Sequence, residues 1–121
     1  MDAVAFMEHP ELLGRVFAEP SWATWKAVLR ATFALPMTDA ERAVFAEVAG
    51  GRAPPSRRVR RLVLKVGRRS GKSIVMAALG AYAATMRDWS RRLAPGERAI
   101  VMAVARDREQ AEVVHAYARE L

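Results

Sequence analysis

The sequence predicts an α/β fold: a helical lead-in and basic linker over residues 1–61, then a β-α-β-α unit with parallel strands over 62–121. Three observations predict it. Apolar residues recur three and four apart through the first half, which is the spacing of amphipathic helices. Two short, nearly continuous apolar runs, 62–66 (LVLKV) and 99–105 (AIVMAVA), read as strands covered on both faces. Each run is followed by a helical pattern, and alternation of strand and helix is the start of a parallel sheet.

The lead-in begins with a mixed segment in which Glu11 to Phe17 has a short helical pattern between Pro10 and Pro20. Proline disfavours helix in the residue before it, so both bound the segment. Ser21 then stands as an N-cap ahead of Trp22, Trp25, Val28, Leu29 and Phe33, a helix that Pro36 ends. Thr38 and Glu41 have the three-residue spacing of a capping box, opening a helix through Val44, Phe45 and Val48 that stops at Gly50-Gly51. The connector GRAPPSRRVRR, Gly51 to Arg61, is the expected boundary between the two parts.

In the second part, GRRSGKS (67–73) joins the first apolar run to the long apolar helix IVMAALGAYAATM, with Met76, Leu79 and Tyr82 as core candidates. Pro95-Gly96 marks a turn before the second run. Asp107 and Gln110 have capping spacing, opening a last helix through Val113, Val114 and Tyr117.

Composition narrows the functional classes. There are no cysteines, which removes disulfides, zinc–cysteine sites and thiol chemistry. No apolar stretch has the roughly 18 residues of a membrane span, and the N-terminus lacks the charged head and apolar stretch of a secretory signal. A cytoplasmic setting is expected, with no membrane partner. Lys+Arg number 20 against Asp+Glu 13, a net charge of +7 that favours anionic partners. Nearly all of it is arginine, which base composition of the genome also explains.

The chemistry concentrates at 67–73. The P-loop pattern G-x-x-x-x-G-K-[ST], between strand and helix, is matched in its second half by Gly71, Lys72 and Ser73. Its first glycine falls on Val66, with Gly67 beside it, so the loop is a variant. Each residue type has a reason. Gly71 lets successive N–H groups turn toward one phosphate. The following helix adds its positive end. Lys72 reaches the outer phosphates, and the Ser73 hydroxyl is placed to ligate Mg²⁺. The predicted architecture is therefore a partial P-loop NTPase fold, binding ATP with Mg²⁺ through Gly67, Arg68, Arg69, Ser70, Gly71, Lys72 and Ser73. A surface turn that happens to spell GRRSGKS is the plain alternative.

SWATWKAVLRATFALPMT, GGRAPP, VGRRSGKS and LAPGERAIVMAVARDREQA together resemble the N-terminal part of phage terminase large subunits, the ATP-driven motors that package viral DNA. The resemblance spans roughly Leu12 to Tyr117. It implies that Lys72 and Ser73 hold ATP phosphates and magnesium, with Gly67 to Gly71 as the cradle. It implies that Arg68 or Arg69 senses the nucleotide, and that the Trp22 neighbourhood lies on the adenine side. It also implies double-stranded DNA, a portal and a small terminase subunit as partners, a ring oligomer, and a phage- or prophage-encoded protein in the bacterial cytoplasm.

The family also needs a strand ending in Asp-Glu for magnesium and water activation, and no apolar run followed by that pair occurs between Ser73 and Leu121. The coupling motif and the acidic nuclease domain are missing too. The expectation is an N-terminal piece of such a motor that binds nucleotide without efficient hydrolysis. Two other classes stand beside it: a different P-loop protein, helicase-like, and a non-enzymatic basic module holding nucleic acid through Arg57, Arg58, Arg60 and Arg61. Plainer readings also stand. Trp22 and Trp25 fit a core, the arginine run fits a solvated face, and His9 and His115 are incidental.

Overall fold

The computed structural model describes all residues 1–121, and its regular secondary structure is helical only. Its elements are α1 (Ala3–Glu8), a 3-10 turn (Pro20–Trp22), α2 (Ala23–Thr32), α3 (Asp39–Val48), α4 (Lys72–Thr85) and α5 (Arg108–Glu120). Two compact units divide the chain, Asp2–Lys65 and Val66–Leu121, with Met1 belonging to the second.

The first unit is built on α1 to α3. Asp2 caps α1, its Oδ1 accepting from the N–H groups of Val4 at 2.9 Å and Ala5 at 2.8 Å. The expected helix at Glu11–Phe17 is instead a set of turns, in which the Phe17 N–H donates to the Leu13 carbonyl at 3.1 Å. Those turns still bury Leu13 and Phe17, which join Val4, Phe6, Met7, Val28 and Leu29 as the unit's apolar core. Full burial of each such side chain contributes about 1.5–3 kcal/mol. Ser21 is not a cap: it lies inside the 3-10 turn, and Trp22 precedes α2 without a side-chain cap. The Trp22 ring stands edge-on to Phe17 at 4.8 Å between centroids, an aromatic packing role.

Capping at α3 follows the sequence closely. Thr38 Oγ1 accepts from the Glu41 N–H at 3.2 Å, and Glu41 Oε2 accepts from the Thr38 N–H at 2.9 Å. Gly50 and Gly51 both have positive φ, and the Gly51 N–H donates to the Ala46 carbonyl, closing the helix. Arg30 lies among carboxylates, with Nη2 3.3 Å from Glu8 Oε2 and Nε 3.0 Å from Glu41 Oε1. The buried Nε–H is not aimed at an acceptor, so its attraction to Glu41 is Coulombic rather than a hydrogen bond.

For residues 62–121 the α/β expectation fails. Neither 62–66 nor 99–105 forms a strand, no ladder joins them, and the chain is all-helical, not a β-α-β-α unit or a partial P-loop NTPase sheet. Both runs face solvent instead: Val63 and Ile100 are each 79% exposed and Val104 83%. A two-face buried strand needs paired neighbours for its backbone and helices over both faces. Here neither run takes strand structure and both are exposed, so neither condition is met. The segment 99–105 passes over α4, with Val101 Cγ1 3.4 Å from the position a Cβ on Gly80 would take.

Helix α4 buries Val75, Ala77 and Ala78, and α5 packs along α4. Of the expected core residues, Met76 is exposed, while Leu79 and Tyr82 are half-buried. The α5 cap follows the sequence, with Asp107 Oδ1 accepting from the Gln110 N–H at 2.9 Å. The helix has no fully buried residue, and Val113 and Tyr117 are exposed. The turn at Pro95-Gly96 is formed, with Gly96 at φ 88°.

Candidate functional site

The loop Gly67–Gly71 leads directly into α4, whose first residue is Lys72. Two residues in it take positive φ: Arg69 at 57° and Gly71 at 78°. For Gly71 this is cheap, since it has no Cβ. For Arg69 it costs about 1–2 kcal/mol, a local strain of the kind that gathers at ligand sites. Gly67 stands in open space, where a Cβ would meet nothing. The glycine that the loop geometry requires is therefore Gly71.

Gly71 is also the N-cap of α4 and supplies no side-chain acceptor. The first N–H groups of a helix have no intrahelical partner, and a serine or aspartate at the cap would occupy one of them. No cap side chain occupies them here, at the end where the helix dipole is positive. The loop is closed on itself through one atom. The Gly67 carbonyl accepts from Ser70 Oγ at 2.8 Å and is 3.5 Å from Lys72 Nζ.

Beside the loop lies a hollow of about 160 Å³ lined by Arg69, Ser70, Gly71, Lys72, Ser73, Ile74 and Tyr117. It brings together five of the seven sequence-identified residues. Gly67 contributes its carbonyl to the loop's closure, and Arg68 is exposed outside the lining. The lining holds two cations, Arg69 and Lys72, and no carboxylate. This donor set fits a phosphate group: a fixed positive helix end, a mobile ammonium, a guanidinium and a hydroxyl.

No group of three or more His, Asp or Glu side chains is assembled to hold a metal ion. Magnesium would therefore be held at Ser73 only together with phosphate oxygens, as P-loop chemistry requires.

Two features went unread in the sequence. Tyr117, assigned there to the apolar face of the last helix, lines the hollow from α5. Periodicity could not have shown this, because it depends on how α5 lies on α4. The second was legible and was missed: no Asp or Glu occurs from Val48 to Arg87, a stretch with ten Lys and Arg. The rest of the chain carries ten cations against 13 acids, so the whole positive surplus sits in that stretch. None of these ten residues is in an ion pair. Arg58 covers the Phe33 ring at 5.0 Å and Arg87 the Trp89 ring at 4.7 Å, contacts that leave their charge uncompensated.

His9 Nδ1 accepts from the Glu11 N–H at 3.2 Å in a local turn, and His115 is exposed on α5. No helix is long and apolar enough to cross a membrane. Comparison with family models, curated proteins and solved structures finds no match to this chain.

Proposed function

We propose that this chain binds the phosphates of a nucleotide, ATP with Mg²⁺, through the loop 67–73. The observation that carries the reading is the conjunction at α4: a side-chain-free cap at Gly71, followed at once by Lys72 and Ser73 facing one hollow without any acid. The amides and the helix end fix the phosphate, Lys72 compensates its charge, and Ser73 joins a phosphate-bound magnesium. The strand that normally precedes such a loop is absent, so support comes from the loop and helix alone. Membership of a DNA-packaging motor rests on the sequence resemblance of GRRSGKS and its neighbours. The hollow's lack of a carboxylate favours binding without efficient hydrolysis, since no group there would activate water.

Calorimetric titration of the chain with Mg·ATP tests the reading. Saturable binding that Lys72→Ala weakens at least tenfold is expected. Binding that is absent, or that Lys72→Ala leaves unchanged, overturns it.

A second reading, a basic module for nucleic acid, is favoured by the acid-free stretch with its exposed Arg57, Arg58, Arg60 and Arg61. In that case affinity for DNA falls steeply with salt and is indifferent to Lys72→Ala.

A further inference from the structure

We infer that Tyr117 is a ligand-contacting residue of the phosphate site, its hydroxyl donating to a phosphate oxygen, and that the site reads a phosphate chain without reading a base. This rests on phosphate binding by the loop. The hollow is lined by one continuous segment, 69–74, and by a single residue from elsewhere, Tyr117. Helix α5 packs along α4, which brings the aromatic side chain to the start of α4.

Tyr117 is 40% exposed and lines the hollow, so the residue is open to a ligand there. The other tyrosine of this unit is committed: Tyr82 donates to the Met1 carbonyl at 3.1 Å. The Tyr117 hydroxyl makes no hydrogen bond within the chain. A phenol is a donor that carries no charge of its own, so it adds a contact to an anion beside two cations without repelling them.

Size decides which part of a nucleotide the hollow takes. About 160 Å³ is below the ~300–1,000 Å³ of a site enclosing a whole organic ligand. It encloses phosphate groups, while a sugar and base would lie outside it in solvent. Apart from the Tyr117 ring, its apolar lining is only Ile74 beside the polar loop, which gives no second face between which a base would stack. The class of ligand is therefore a polyphosphate chain, free or carried by any nucleoside.

The test uses the full chain titrated with the magnesium complexes of tripolyphosphate, ATP and GTP, in wild type, Tyr117→Phe, Tyr117→Ala and Lys72→Ala. Far-UV circular dichroism and thermal midpoints are recorded for each. The three ligands should bind within about threefold of one another. Tyr117→Phe should weaken all three by about tenfold at an unchanged midpoint, the scale of a hydrogen bond to a charged group. Should Tyr117→Phe bind like wild type while Lys72→Ala does not bind, Tyr117 is no ligand group and phosphate binding by the loop stands without it. Tyr117 is likewise no hydrogen-bond donor to the ligand if Tyr117→Ala weakens binding and Tyr117→Phe does not, since the ring then acts by packing. ATP binding tenfold or more tighter than tripolyphosphate overturns the indifference to base. If wild type binds none of the three, or Lys72→Ala binds as well as wild type, the phosphate site itself fails and this inference with it.

Discussion

Lys72 Nζ lies 3.5 Å from the Gly67 carbonyl oxygen, its side chain folded back over the loop it terminates. That distance is at the outer edge of a hydrogen bond, so the ammonium gives up little when it turns to a phosphate. Its stem is exposed and packs in no core. Lys72→Ala should therefore leave stability within about 0.5 kcal/mol of wild type while it removes phosphate affinity. A large drop in stability, read by urea unfolding, would mean that Lys72 is a structural residue.

The proposed magnesium contact is tested at Ser73. On the proposed reading, chelating the metal with EDTA should weaken ATP binding to wild type, because magnesium would neutralise the phosphates and the Ser73 hydroxyl would help to hold it. Ser73→Ala should bind ATP weakly with or without magnesium. If Ser73→Ala responds to EDTA as strongly as wild type, the hydroxyl has no part in holding the metal.

The exposed apolar runs give a direct check on the all-helical architecture. Val63→Lys, Ile100→Lys and Val104→Lys replace side chains that are 79–83% exposed. Each should change stability by no more than about 0.5 kcal/mol, and together they should lower aggregation and dye binding to apolar surface. Were these residues inside a two-face sheet, each lysine would bury an unpaired charge and cost several kcal/mol.

At α3, the two roles of Glu41 are separable. Thr38→Ala removes one half of the capping box and should cost about 1 kcal/mol. Glu41→Gln keeps an acceptor for the Thr38 N–H and loses only the charge beside Arg30, a partly exposed pair worth under about 1 kcal/mol. Glu41→Ala loses both and should be the most destabilised of the three in urea. If Glu41→Gln matches Glu41→Ala, the ion pair outweighs the cap.

The Asp88 carboxyl is held below its ordinary pKa by hydrogen bonds from Ser90, chiefly the side-chain hydroxyl and then the backbone N–H at 2.9 Å. A carboxyl depressed in the folded state contributes stability that is present above its unfolded pKa and is lost as pH falls through the lower folded value. In an NMR titration, Ser90→Ala should move Asp88 back up toward the normal carboxylate range. An Asp88 that titrates identically in both proteins removes the hydroxyl as the cause.

Local signals carried much of this chain. The Thr38–Glu41 box, the stop at Gly50-Gly51, the Pro95-Gly96 turn and the Asp107 cap are interactions between near neighbours, which sequence spacing specifies directly. So is the meeting of Gly71, Lys72 and Ser73 at the start of α4, because three consecutive residues need no tertiary fold to be neighbours. What sequence could not determine is whatever depends on a distant partner. Leu62–Val66 and Ala99–Ala105 have strand composition, yet a strand exists only when another backbone accepts its N–H and C=O groups, and that pairing does not form. Tyr117 is the reverse case: its spacing reads as an apolar face, and only the packing of α5 on α4 brings it to the hollow beside the 67–73 loop. Hydrogen bonds between near neighbours are written in the chain, whereas sheet pairing and pocket walls are long-range contacts that only the packed structure decides.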